Sequence, residues 1–215
     1  MPAERDATQK LERLKGARPL FVFDLDSTVT RCELLPLLAE AVDIGTEMAA
    51  RTEQAMAGNV PFVEDFPKRA ALLSALPLSR AREIVAEAPV NREIARFLAE
   101  NAPRCRIMTG NLDVWIEDLI RRLGMDGRCL CSRGIAENDR LVGVSFVLDK
   151  ALAARALPRP FVAIGDGSND VGLLRSADLA IAFSGVREVA QELREAADLV
   201  EDDERRLCGM LLQLL

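Results

Sequence analysis

The stretch LFVFDLDSTVT, residues 20–30, decides how the rest of the chain is read. Four apolar residues in a row, Leu20 to Phe23, predict a strand buried on both faces. The run then breaks into Asp24 and Asp26, with no lysine or arginine before Arg31 to neutralise them. Carboxylates at the edge of a core are costly to bury, so they need a cation, a partner or a chemical role. In a continuing strand the two acids would point to opposite sides. They can serve one substrate only if the chain turns at Leu25 or Asp26, which the hydroxyl-rich DSTVT segment allows.

Similar apolar runs recur downstream: near 104–110, 128–132, 160–166, 178–183 and 197–200. Helical patterns lie between or after them, at 112–123, 149–156, 170–175 and 186–196. Alternation of this kind predicts an α/β fold, a Rossmann-like parallel sheet with helices on both faces. Ligands of such sheets bind beyond the carboxyl ends of the strands, where Asp24, Thr109 and Asp166 fall. Residues 31–90 differ. They are rich in Ala, Leu, Glu, Arg and Met, show no convincing strand, and carry prolines at 36, 61, 67, 77 and 89 that should divide them into short helices. This block reads as a small helical cap inserted after the first strand. The expected organisation is an N-terminal extension at 1–15, a core at 16–30 and 91–215, and the cap at 31–90. The tail LCGMLLQLL predicts a helix packed on the core.

Composition removes several chemistries. Among 215 residues there is no histidine, which excludes Ser-His-Asp and Cys-His catalysis and histidine-ligated zinc. A net charge of -6 argues against a nucleic-acid partner. Five cysteines lack framework spacing and read as reduced thiols. The charged N-terminus has no apolar core of a signal peptide, and no run reaches membrane-spanning length, so a cytoplasmic protein without a membrane partner is expected. Composition is silent on oligomeric state.

The second acidic strand end is FVAIGDGSNDVG, residues 161–172. A dinucleotide loop is the tempting reading, but Asp170 stands where such a loop needs glycine, and a carboxylate would repel a pyrophosphate. Two strand ends could instead gather Asp24, Asp166 and Asp170 around Mg²⁺, a hard cation bound by carboxylates and substrate phosphate. Thr109 and Gly110, ending the second strand, offer a hydroxyl and amides to phosphate oxygens. Lys150, at a helix start, offers a cation.

In this order (acid-x-acid, Thr-Gly, Lys, G-D-G-S-N-D) the motifs resemble the haloacid dehalogenase-like superfamily of Mg²⁺-dependent phosphohydrolases, over about residues 18–200. The resemblance implies that Asp24 is a nucleophile forming an aspartyl-phosphate, and that Asp26 is the general acid and base. It implies that Thr109 and Lys150 hold the phosphoryl group. Asp166, with Asp24 and the backbone carbonyl of Asp26, would hold Mg²⁺, supported by Asn169 and Asp170. A two-component receiver domain also combines acids, Thr and Lys, but lacks the G-D-G-S-N-D element and the helical insertion.

Residues 51–73, RTEQAMAGNVPFVEDFPKRAALL, resemble the cap of phosphoserine phosphatases at Met56, Gly58, Phe62 and Arg69. Glu33, nine residues after Asp24, fits as well. The resemblance implies an amino-acid receptor: Glu33 for the ammonium, Arg69 for the carboxylate, Met56 and Phe62 as apolar walls, and a place in serine biosynthesis. Where that family has Ser-Gly-Gly-Phe, this chain has Thr109-Gly110-Asn111-Leu112, and the span from Lys150 to Asp166 is short. Both departures leave the leaving group open. The readings are a phosphoserine phosphatase, a phosphatase or phosphotransferase for another small phosphomonoester (homoserine being a conceivable acceptor), and a non-catalytic phosphate-binding regulator. The partner implied by the enzymatic readings is a small phosphorylated metabolite.

Overall fold

The computed structural model describes residues 2–56 and 61–215, without the side chains of residues 2–6 and 56. Seven strands form one sheet: β1 (Leu20–Phe23), β2 (Cys105–Leu112), β3 (Cys129–Glu137), β4 (Arg140–Phe146), β5 (Phe161–Gly165), β6 (Leu179–Phe183) and β7 (Leu199–Glu201). Their order is β4-β3-β2-β1-β5-β6-β7, parallel throughout except for the β3–β4 hairpin. The helices are α1 (Pro2–Leu14), α2 (Leu34–Glu40), α3 (Gly45–Met56), α4 (Phe62–Leu72), α5 (Leu78–Ala86), α6 (Arg92–Glu100), α7 (Asp113–Arg122), α8 (Lys150–Ala154), α9 (Val171–Ser176), α10 (Gln191–Ala196) and α11 (Glu204–Leu212). The α/β architecture expected from the alternating pattern is the one found, and α2 to α5 are the helices inserted after β1.

The central strands read as unbroken apolar runs because both of their faces are covered. Phe21, Phe23, Ile107, Val162, Ile164 and Ile181 belong to one buried cluster. Their alternate neighbours Val22, Met108, Ala163 and Ala180 belong to a second. On the first face Phe97 of α6 meets Phe21 edge-on at 5.3 Å and Phe23 at 6.0 Å. Pairing of β1 with both β2 and β5 sets it at the centre, so Asp24 leaves the sheet between the ends of its neighbours.

The inserted helices leave and rejoin the sheet at one point. Thr30 bridges Val90, and the Arg31 amide donates to Pro89 at 2.8 Å. Asn91 secures this junction with its Nδ2 on the Thr28 carbonyl (2.8 Å) and its amide on that of Val29 (2.9 Å). Only some of the prolines divide this block. Pro61 and Pro77 stand just before α4 and α5, but Pro36 and Pro67 lie inside α2 and α4. Pro36 occupies the first turn, where an amide has no helical partner anyway. Pro67 strands the carbonyl of Val63, a residue 47% exposed and open to water.

Two further differences from the sequence reading, and one addition to it, complete the fold. The strand near 128–132 runs on to Glu137 and folds back as β4 through Asn138 and Asp139, both at positive φ (48° and 61°), a two-residue hairpin turn. Its tip fastens the inserted block, since the Leu78 amide donates to the Asp139 carbonyl and Ser79 donates to its carboxylate from both N and Oγ. The expected helix at 186–196 begins only at Gln191, leaving 184–190 as a loop after β6. The N-terminal segment forms α1, with Lys10 paired to Asp198 at 2.6 Å. No described helix is long and apolar enough to cross a membrane.

Phe97 joins α6 to the strand that carries the two acids. Phe97→Ala should destabilise the fold by about 3–5 kcal/mol, measured by urea denaturation. A loss below about 1 kcal/mol would show that the site collapses around the missing ring.

Candidate active site

After Phe23 the chain makes one wide turn over Leu25–Val29, with Ser27 in the left-handed region at φ 52°. The Thr30 amide closes the turn on the Leu25 carbonyl at 2.8 Å. This is the turn that the two-acid spacing requires, and it sends Asp24 and Asp26 into different environments. Asp24 Oδ1 accepts from Lys150 Nζ at 2.5 Å. Asp26 faces the inserted helices. Its Oδ1 accepts from the Leu34 amide at 2.8 Å, at the start of α2, and its Oδ2 accepts from Asn111 Nδ2 and, at 3.4 Å, from Thr109 Oγ1.

Lys150, first residue of α8, is buried and also donates to Asp170 Oδ1 at 2.5 Å. Asp149 caps this helix, accepting from the Leu152 amide at 3.0 Å. Asp170 is fully engaged, because its Oδ2 accepts from the amides of Asp166 (3.2 Å) and Gly167 (3.1 Å). Gly165 is needed for this arrangement: a Cβ there would stand 2.5 Å from the Asp170 carboxyl carbon.

Oxygens of Asp24, Asp166 and Asp170 lie within 4.8 Å of one another, all buried. Asp166 Oδ1 accepts from Thr28 Oγ1 at 3.3 Å, whereas its Oδ2 has no hydrogen-bond donor. Arg187 Nε stands 2.8 Å from that oxygen, but outside hydrogen-bonding alignment. Three hard oxygen donors, one of them lacking a donor, fit a small divalent cation.

The electrostatics point the same way. Burial, reinforced by Asp170, pushes the Asp24 carboxyl well above its ordinary value despite Lys150. Asp166 is raised by burial and then by Asp24 and Glu33. Burial and the nearby Glu33 lift Asp26 to about 7, against the opposing pull of the Leu34 amide. Burial alone would lower the Lys150 ammonium, but Asp170 and Asp24 together outweigh it and hold it above its ordinary value.

A cavity of about 30 Å³ lies over the acids, bordered by Asp24, Asp26, Glu33, Phe62, Arg69 and Asn169. It has room for about one water. Phe62 closes it against Gly110, where a Cβ would come within 2.1 Å of the ring. Ser168 Oγ also donates to the Ala55 carbonyl of α3 at 2.9 Å. Glu33 accepts from Ser27 Oγ at 2.8 Å. Arg69 is buried, its Nε on Asp65 (2.7 Å) and its Nη1 on Thr52 (3.1 Å), with the guanidinium 5.8 Å from the Phe62 ring centre.

The structure thus gathers Asp24, Asp26, Glu33, Phe62, Arg69, Gly110 and Asn169 on one cavity, with Lys150, Asp166 and Asp170 beneath Asp24. Thr109 is buried behind Asp26, where its hydroxyl also receives the Asn111 amide at 3.1 Å. The Met56 side chain and Gly58 lie outside the described residues. Sequence reasoning missed Asp65 and Thr52, which orient Arg69, and Arg187, which approaches Asp166 and lies 3.8 Å from Glu33. Asp65 had a signal in its i, i+4 spacing to Arg69. Arg187 had none.

These shifts set a pH dependence. Asp24, Asp26 and Asp166 bind protons more tightly folded than unfolded, so the native state carries more protons from the ordinary value of 3.8 up to about 7 for Asp26. Stability must then fall as pH rises through that window. Above about pH 5.5, where ordinary carboxylates are already ionised, a chain without histidine has little else to titrate. In chelator the melting temperature should decline between roughly pH 5.5 and 7, and a divalent cation should flatten the decline. A flat profile in chelator would show that the three acids are already ionised.

Over residues 21–175 the sequence matches the model of the haloacid dehalogenase-like hydrolase family. It is 30% identical over 193 residues to a phosphoserine phosphatase of Archaeoglobus fulgidus, spanning 83% of this chain and 56% of that protein. It is 33% identical over 196 residues to a phosphoserine phosphatase of Mycobacterium tuberculosis, spanning 83% and 46%. The chain therefore spans about half the length of these two relatives. A phosphoserine phosphatase of Lactococcus lactis is matched more fully, 28% identical across 91% of this chain and 95% of its own. Among solved structures, an analogue of the phospho-aspartyl intermediate of a phosphoserine phosphatase superposes with a TM-score of 0.76 at 24% identity, over 89% of this chain and 97% of that one, and shares its fold. The motifs, the sheet and the family match agree, and the chain belongs to the haloacid dehalogenase-like hydrolase family.

Proposed function

We propose that this chain is a Mg²⁺-dependent phosphomonoester hydrolase that converts O-phosphoserine to serine and phosphate in the cytoplasm, as a step of serine biosynthesis. One observation carries the reading: Glu33 and Arg69, of opposite charge, border the same small cavity as Asp24 and Asp26. A zwitterionic leaving group matches that pair. The relatives named phosphoserine phosphatase support it.

Asp24 and Asp166, with the main-chain carbonyl of Asp26, would hold the cation, and Asp170 would support them. The bound cation supplies positive charge that offsets repulsion between a carboxylate and a phosphate dianion. Asp24 attacks phosphorus, and the bond from phosphorus to the seryl oxygen breaks. Asp26 gives its proton to that oxygen. It then takes a proton from water, whose oxygen attacks phosphorus and breaks the bond to Asp24, releasing phosphate. A carboxyl lifted to about 7 can serve as acid and then as base at neutral pH. Lys150 holds Asp24 in place and balances charge, while Gly110 and Asn169 receive phosphate oxygens. Thr109, whose hydroxyl lies on Asp26 in this closed form, would have to turn from it to join them. Phe62 walls the serine side.

In this reading residues 31–90 act as a cap over a core formed by 16–30 and 91–215, with 1–15 as an extension. The cavity of about 30 Å³ is far smaller than a bound metabolite, so α3 and α4 must draw back from Gly110 and Ser168 for entry. The bonds of α5 to Asp139 make it the fixed end of the cap.

Because Asp65 and Thr52 already occupy part of Arg69, a second reading remains: Arg69 is structural, and the leaving group is another small alcohol. Arg69→Ala separates the two. It should cut kcat/KM for phosphoserine by about tenfold or more while sparing nitrophenyl phosphate; equal loss on both favours the second reading. For the chemistry, Asp26→Asn should lower phosphate release by roughly 10²–10⁴. Asp24→Asn should abolish it and prevent trapping of a phosphorylated enzyme, and full activity in that variant would sink the covalent route.

A further inference from the structure

Asn111 stands where the resembled pattern has glycine, so its side chain has no counterpart in that pattern. The side chain is 3% exposed at the end of β2. Its Nδ2 donates to Asp26 Oδ2 and, at 3.0 Å, to Thr109 Oγ1, which uses both hydrogens of the amide nitrogen. The other end, Oδ1, is buried and accepts no hydrogen bond, while the residue borders the cavity over Asp24 and Asp26. Reversing the amide would set Oδ1 against the ionised Asp26 carboxylate, acceptor against acceptor, so ionised Asp26 favours this orientation. A buried amide oxygen without a donor is costly to keep.

Glu33 borders the same cavity and bears on what the missing donor is. Glu33 Oε1 already accepts from Ser27, which leaves one carboxylate oxygen for a ligand. An alkylammonium carries three N–H donors, more than the free oxygen of Glu33 alone is placed to take, and each needs an acceptor once it leaves water. Asn169 Oδ1, also without a donor, lies in the loop of the acid cluster between Ser168 and Asp170 and borders the same cavity.

We infer that Asn111 Oδ1 is a second acceptor for the ammonium of the leaving alcohol, so that Asn111 is a specificity-determining residue selecting phosphate esters of amino alcohols over their deamino counterparts. The inference rests on the phosphomonoester hydrolase reading and adds to it a residue that discriminates between leaving groups.

The test compares kcat/KM for O-phosphoserine and for 3-phosphonooxypropanoate, which differs only in lacking the ammonium, in the Mg²⁺-loaded wild type and Asn111→Ala. Loss of the amide also frees Asp26 and Thr109 and lowers both activities, but the ratio of the two substrates cancels that effect. The wild type should favour phosphoserine, and the ratio should fall by about tenfold or more in the variant. Asn111→Gly, whose backbone the family pattern accommodates, gives the same comparison if the alanine variant does not fold. An unchanged ratio in the variants overturns the role of Asn111 and leaves the phosphoserine reading standing. A wild type that does not distinguish the two esters overturns both.

Discussion

A single buried ammonium organises the centre of this molecule. Lys150 Nζ lies 2.5 Å from Asp24 and 2.5 Å from Asp170, and all three side chains are almost wholly removed from water. Such a cluster survives only if its charges are matched and its remaining lone pairs are bonded. Asp170 meets that condition through two backbone amides, and α8 must begin where its lysine can reach the end of β1. Packing of Gly165 against Asp170 follows, as does the approach of β5 to β1. Asp166 is the acid that the lysine leaves over, and it is the one with an oxygen lacking a donor. Arg187 approaches that oxygen at 2.8 Å but outside hydrogen-bonding alignment.

The turn after β1 divides the labour between two acids that look equivalent in the sequence. Ser27 at φ 52° swings Asp26 out of the strand direction and onto the first amide of α2. Asp24 stays with the lysine and the acid cluster, while Asp26 meets amide and hydroxyl groups and the nearby charge of Glu33. In the proposed reaction the first carboxylate forms the bond to phosphorus and the second carries the proton. The same turn couples the chemistry to the inserted helices, since the segment that positions Asp26 runs into the Thr30–Val90 junction.

Legibility followed burial. Strands β1, β5 and β6 were readable because both faces are covered, which makes every residue apolar. Strand β4 was not: Val142 and Phe146 are half exposed, and its apolar positions do not alternate cleanly with polar ones. The prolines misled where their missing hydrogen bond cost little, at Pro36 in a first turn and at Pro67 above an exposed carbonyl. At the site, residues in motifs were found by their order along the chain. Arg187 was not, because a lone arginine in a loop carries no local signal of the acid it will meet 21 residues upstream.

By itself the sequence determined the family, the α/β class and the acids, lysine and threonine of the centre, because these depend on local order: apolar runs that end in particular polar residues. Tertiary structure alone decided what each of those groups touches. It set Arg69 against Asp65 and Thr52, closed Phe62 over Gly110, and left one end of Asn111 bonded and the other bare. The reason is that hydrogen-bond satisfaction and desolvation are properties of a packed volume, to which residues far apart in the chain contribute.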